Sequence, residues 1–165
     1  MARQSAGILL FRRRAGGVEV LLVHPGGPFW SRKDEGAWSL PKGEFAEPED
    51  ALAAARREFQ EETGSALRGA DGDFVSLGAV RQAGGKLVHA WAIEGDFDPA
   101  TLASNTFLME WPRGSGAQRE FPEADRAEWF DLAAARRKLL NGQRPFIDAL
   151  EERLGRAARP PHATS

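Results

Sequence analysis

The stretch "GEFAEPEDALAAARREFQEETG", residues 43–64, carries six Glu and one Asp against two Arg. Pro48 through Thr63 reads as a helix. Proline suits the first turn, Glu49 and Asp50 suit the positive N-terminal end, and alanine is abundant. Gly64 supplies a C-terminal stop. At about 100° per residue, Leu52, Phe59 and Thr63 share one side and form a core-facing stripe. Glu58, Glu61 and Glu62 are three and four residues apart and share another face, where like charges repel. Carboxylates near a helix C-terminus also oppose its dipole. Ala51, Ala54 and Ala55 lie on the same general face and leave room for a neighbouring backbone. The segment is therefore either a solvated acidic face or a seat for positive charge. A hard divalent cation such as magnesium binds through a few carboxylates, waters and substrate phosphates, which matches the pattern.

Upstream, "SAGILLF" and "VEVLLVH" are apolar runs flanking "RRRAGG" and predict two strands around a Gly-Gly turn. "PGGPFWSRKDEG" has loop chemistry, and Pro41 makes "AWSLPKGEF" a broken or edge strand. Downstream, "DFVSLGAV" and "KLVHAWAIEG" predict strands joined through "RQAGG", and "NTFLMEW" a further one. "PRGSGAQREFPEAD" reads as a polar loop and "RAEWFDL" as a short strand. "DLAAARRKLL" predicts a helix ending near Asn141 and Gly142. "PFIDALEERLG" predicts a second, with Pro145 at its start and Gly155 at its end. The remainder, 156–165, is Pro-rich and reads as a flexible tail. Strands, a helix, strands and two closing helices predict a single α/β (α+β) domain over 1–155, a mixed sheet with helices on its faces.

A chain of 165 residues fits one domain and buries roughly 70% of the surface its unfolded form exposes. The net charge of -2 argues against a broad grip on nucleic acid or an anionic membrane. With no Cys, disulfides, thiolate nucleophiles and Cys-ligated zinc are excluded. The apolar run in "MARQSAGILLFRRR" is too short for a secretory or membrane-spanning segment, so the expectation is a soluble, cytoplasmic protein. His24 and His89 sit in strand-like runs and read as structural histidines.

Gly43, Glu49, Arg57, Glu58, Glu61, Glu62 and Gly64 fall in register with the Nudix box: G, five of any residue, E, seven of any, then R-E-U-x-E-E-x-G-U, with U bulky and apolar. Phe59 fills the first U. On these residues the chain resembles the Nudix hydrolases. Two departures stand out. Ser65 takes the last apolar position, and "EPED" replaces the usual Pro-Gly-Glu approach to the helix. "SAGILLF", "WSLPKG" and "RAEWFDL" extend the resemblance over residues 4–150. "WSLPKGE" is most similar to the branch that cleaves dinucleoside polyphosphates and inositol pyrophosphates.

The resemblance implies a Nudix-type α/β/α sandwich that hydrolyses a nucleoside diphosphate linked to another moiety, with Mg2+ (or Mn2+) as cofactor. It implies Glu58, Glu61 and Glu62 as metal ligands and the Gly43 carbonyl as a further one. Arg57 would hold the glutamates in place, and Glu49 would support them from the helix start. The base that activates water would be Glu58 or Glu123, the latter in "FPEADRAEW". Lys42 would contact phosphate. Arg32, Lys33, Arg113 and Arg119 would add positive charge above the metals. Alternatives are a nucleoside triphosphate or RNA 5'-end pyrophosphohydrolase and a non-catalytic nucleotide-binding regulator. The partner is a small-molecule nucleotide-type substrate, and the chain a monomer or homodimer.

Overall fold

The "GILLF" run becomes the middle of β1 (Gln4–Arg14), a central strand buried on both faces. That is why it reads as unbroken apolar sequence rather than as an alternation. Leu9 and Phe11 pack with Val20, Leu22, Trp38, Leu139 and Phe146. Ala6, Ile8 and Leu10 pack on the other side with Leu21, Val23, Ala54, Ala55 and Phe59. The computed structural model describes residues 3–158.

β2 (Gly17–Pro25) pairs antiparallel with β1, and β8 (Ala124–Asp131) antiparallel with β2. On the other side, β5 (Leu87–Glu94) runs parallel to β1, and β4 (Val75–Arg81) closes the sheet antiparallel to β5. The order is β4-β5-β1-β2-β8, with β3 (Lys42–Phe45) pairing antiparallel with the N-terminal half of β1. Helix α1 (Ala51–Thr63) supplies Ala54, Ala55 and Phe59 to one apolar layer. Helices α2 (Leu132–Lys138) and α3 (Arg144–Ala158) supply Ala135, Phe146, Ile147 and Leu150 to the other. The mixed sheet with helices on both faces is thus the fold expected. Among the described residues no helix is long and apolar enough to cross a membrane.

Four boundaries differ from the sequence reading. Helix α1 starts at Ala51, not Pro48, because the Asp50 carboxylate accepts the Ala53 N–H at 3.1 Å and caps it. Glu49 therefore lies outside the helix. The "polar loop" contains β7 (Gln118–Pro122), which pairs antiparallel with β6 (Thr106–Glu110). This hairpin forms its own two-stranded sheet and has mostly exposed residues, so it carries little of the apolar signal that reveals a strand. Helix α2 ends at Lys138, because Leu139 turns extended and buries itself in the core. Helix α3 runs through Gly155 to Ala158. The tail expected at 156–165 thus begins inside a helix, and 159–165 lie outside the described residues.

Two polar ties fix the segment that leads into β3. Gln143 is fully buried; its Oε1 accepts the Leu40 N–H at 3.0 Å and its Nε2 donates to Ser39 Oγ at 2.9 Å. Asp34 accepts the Trp38 indole N–H at 2.8 Å and pairs with Lys138. The Lys138 and Trp38 hydrogen bonds hold the Asp34 carboxyl below its ordinary value.

Replacing Gln143 by Leu orphans the buried Leu40 N–H and should cost about 1–3 kcal/mol in urea denaturation. An Asp34→Asn variant should be less stable than wild type at pH 7. Because the folded-state pKa is depressed, the gap should close as pH falls below 3.8 and through the lowered value. A gap that persists at pH 2 would remove the charge from this account.

Candidate active site

The acidic segment meets the sheet at one point. A Cβ on Gly43 would lie 2.0 Å from both Cδ and Oε2 of Glu58, so a side chain there would displace the Glu58 carboxylate from its place against β3. One residue earlier, the Lys42 N–H donates to Glu62 Oε2 at 3.2 Å. The small residues Ala54 and Ala55, expected to admit a backbone segment beside the carboxylates, instead pack against the sheet. The close backbone approach comes at Gly43.

Arg57 organises the carboxylates. Its Nε and Nη2 donate to the two oxygens of Glu49 at 2.9 and 3.0 Å. Its Nη1 donates to Glu58 at 2.8 Å and to Glu61 at 3.2 Å. These bonds push the Glu49 carboxyl down and the Arg57 guanidinium up. Arg57 thus stands between Glu49 and the two helix carboxylates.

The C-terminal end of α1 connects to the remaining predicted residue. The Asn105 N–H donates to the Glu61 carbonyl at 2.8 Å, and the Asn105 carbonyl accepts the Glu123 N–H at 2.7 Å. The Glu123 carbonyl in turn accepts the Gly26 N–H at 3.1 Å. Gly26 has to be glycine, since a Cβ there would fall 1.9 Å from the Pro122 carbonyl oxygen. A chain of backbone hydrogen bonds thus sets Glu123 across from the helix.

Lys42, Gly43, Glu58, Glu61, Glu62 and Glu123 all line one cavity of about 500 Å³. Burial pushes the Glu62 carboxyl up to about 8, against the opposing pull of the Lys42 N–H. Burial also raises Glu58, opposed by Arg57, and lowers the Lys42 ammonium. Desolvated carboxylates of this kind are stabilised by a cation between them. Among the described residues no three His, Cys, Asp or Glu side chains converge into a finished metal cage: Glu58 and Glu61 are held by Arg57, while Glu62 faces Lys42. The donor set offers oxygens only, from Glu58, Glu61, Glu62 and the Gly43 carbonyl, and fits a hard divalent cation. Glu123 differs from the other carboxylates. It is exposed, and its side chain makes no hydrogen bond or ion pair with the described residues.

Three of the four expected cations lie on aromatic rings instead of in this cavity. Lys33 lies over Trp30, Arg113 over Phe29 and Arg119 over Phe121; Arg32 does not line the cavity either. The sequence reading missed Lys86 and Asn105, which do. Neither has a sequence neighbour in the acidic segment; strand pairing and a loop bring them there. His24 is buried, with Nδ1 at 2.8 Å from Asp125 and Nε2 at 2.7 Å from the Lys33 carbonyl. His89 contacts Gln4 at 2.8 Å. Both have the structural setting expected.

A family model described as NUDIX domain matches residues 1–150. Among solved structures, the chain is similar to the Ap4A hydrolase of C. elegans, seen as a binary complex. The two share 21% identity at a TM-score of 0.62, over 93% of this chain and 98% of that one. It is similar to the NUDIX domain of Shewanella oneidensis NrtR, complexed with ADP ribose, at 18% identity and a TM-score of 0.62, over 93% and 89%. It is also similar to a MutT/nudix family protein from Enterococcus faecalis, at 17% identity and 0.63, over 94% and 63%. At these identities the likeness is one of fold. No curated protein matches the chain.

Gly43→Ala should destabilise the protein by about 1–3 kcal/mol through overpacking against Glu58. In a Glu58→Ala background the penalty of Gly43→Ala should shrink below half, as read by urea denaturation in EDTA. Equal penalties in both backgrounds would refute the contact as the cause.

Proposed function

The chain belongs to the Nudix family of pyrophosphate-bond hydrolases, and on that premise we propose that it is a magnesium-dependent enzyme cleaving a nucleoside diphosphate linked to another moiety, with dinucleoside polyphosphates as the favoured substrates. The observation that carries this reading is the gathering of Lys42, Gly43, Glu58, Glu61, Glu62 and Glu123 around one cavity. Glu58, Glu61 and Glu62, with the Gly43 carbonyl, would hold Mg2+, or Mn2+ in its place. Bound there, the cation supplies charge neutralisation at the phosphate oxygens where negative charge develops.

The chain's own residues divide the remaining work. Arg57, fixed by both oxygens of Glu49, holds Glu58 and Glu61 at their positions. Lys42 offers an ammonium to a phosphate oxygen. For the base that takes the proton from water, the structural setting favours Glu123 over Glu58. Glu58 is held by Arg57 and pressed against Gly43, whereas the Glu123 carboxylate is exposed and unpaired among the described residues. A base needs such a free acceptor within reach of the water. We place the protein in the cytoplasm, acting on a dissolved nucleotide as a monomer or homodimer.

A regulator that binds nucleotide without turnover is the second reading; the NrtR domain, to which the chain is similar, is complexed with ADP ribose. The complete set of box glutamates, each in the cavity or tied to Arg57, weighs against it. Hydrolysis of nucleoside triphosphates or RNA 5' ends is the remaining alternative within the enzyme class.

The test is a panel of dinucleoside polyphosphates, nucleotide sugars, nucleoside triphosphates and inositol pyrophosphates, incubated with Mg2+ and assayed for released products. Dinucleoside polyphosphates should give the highest kcat/KM, and EDTA should abolish it. Turnover of none, or turnover insensitive to EDTA, would refute the proposal. Glu123→Gln should lower kcat at least about 100-fold, in line with the worth of a general base, with an unchanged melting temperature. Glu61→Gln/Glu62→Gln should lose the rise in melting temperature that Mg2+ gives the wild type.

A further inference from the structure

The β2–β8 ladder shifts register near its end. Val23 faces Ala127 and His24 faces Arg126, but Pro25 faces Ala124, which leaves Asp125 as an extra, unpaired residue in β8. Such a bulge suits Pro25, which has no N–H to give the ladder. It also reverses the alternation of the strand. Ala124 and Ala127 are three residues apart in sequence, yet both belong to the buried layer beneath α1. A regular strand puts residues an even number apart on one face. In an unbroken β8, Glu123, on the same alternation as Ala127, would point into that layer. The bulge turns it out to the cavity wall.

The bulged residue is held by His24. That ring is fully buried. Its Nε2–H donates to the Lys33 carbonyl at 2.7 Å, and it meets Trp38 edge to face with centroids 5.2 Å apart. Fixed in this way, the ring makes a hydrogen bond of 2.8 Å between Nδ1 and Oδ1 of Asp125. Arg126, a second charged neighbour, stands 4.0 Å from the same oxygen. Beyond the bulge, the Glu123 carbonyl accepts the Gly26 N–H at 3.1 Å and the Ala124 N–H donates to Ser104 Oγ at 2.9 Å. These contacts fix the chain on the far side of the bulge. The His24–Asp125 bond fixes the bulge itself.

We propose that His24 and Asp125 are positioning residues for Glu123: the bond between them holds the bulge that aims the Glu123 carboxylate into the cavity. The proposal rests on the reading of Glu123 as the base that takes a proton from water. Neither residue lines the cavity, so both act through the backbone of β8. The Glu123 side chain has no hydrogen bond or ion pair with the described residues to orient it, so its aim is set by the chain on which it stands. A displacement of about 1 Å at a reacting group is enough to slow turnover on the order of tenfold or more.

The test begins with Asp125, which is exposed and can be changed without opening the core. Asp125→Ala should lower kcat about tenfold and leave KM within about twofold. Asp125→Asn, which can still bond to the ring, should recover most of the loss. In a Glu123→Gln background, Asp125→Ala should lower kcat no further. An equal loss in both backgrounds, with Glu123→Gln itself slow, would overturn the proposal. A second measurement needs no turnover. The chain has no Cys, so Glu123→Cys carries a nitroxide label at that site alone. Its spectrum should narrow, as the label moves more freely, when Asp125→Ala or His24→Gln is added. His24→Asn, whose amide nitrogen falls where Nδ1 stood, should keep it broad. A spectrum unchanged by Asp125→Ala would overturn the positioning even if hydrolysis stands. A narrowed spectrum, with Glu123→Gln turning over at the wild-type rate, would sustain the positioning and refute Glu123 as the base.

Discussion

A single guanidinium holds the acidic segment together. Glu58 and Glu61 are neighbours on one helix face and Glu49 lies just before that helix, so in isolation the three would separate. Arg57 donates to all of them. Its planar fork spans both oxygens of Glu49 while leaving Nη1 for the other two carboxylates. A lysine, with one point charge, has no equivalent geometry. The site depends on this pairing because it fixes the directions of two carboxylates before any substrate arrives.

Around that centre, close backbone approach does what side-chain contacts cannot. Gly43 lets β3 lie against Glu58, and Gly26 lets the end of β2 lie against the Pro122 carbonyl. In each case a methyl group would occupy space already filled. Between them the Asn105 peptide bridges the last turn of α1 to Glu123. The carbonyls at a helix C-terminus lack partners within the helix, and here one of them becomes an anchor for the opposite wall of the cavity. The placement of Glu123 and the capping of α1 thus share one set of hydrogen bonds.

The cavity is lined by charges of both signs. Burial raises the Glu58 and Glu62 carboxyls on α1, and burial of Lys42 itself lowers its ammonium. Lys42 of β3 and Lys86, the residue before β5, line the same cavity. Such an arrangement is poorly satisfied on its own.

Much of this was legible before any coordinates. The register of Gly43, Glu49, Arg57, Glu58, Glu61 and Glu62 along one segment specified both the helix and the acidic face, because helix periodicity converts spacing directly into neighbours. The apolar runs specified β1, β2 and β5 for the same kind of reason. The β6–β7 hairpin was not legible, since it stands apart from the core and its exposed strands need no apolar pattern. The start of α1 was set by Asp50, whose carboxylate caps the helix, whereas the sequence cue followed was a proline suited to the first turn at Pro48. Lys86, Asn105 and Ser5 entered the cavity through strand pairing and a loop. Local sequence carries no record of residues tens of positions apart being brought together; the packing of the whole sheet decides that.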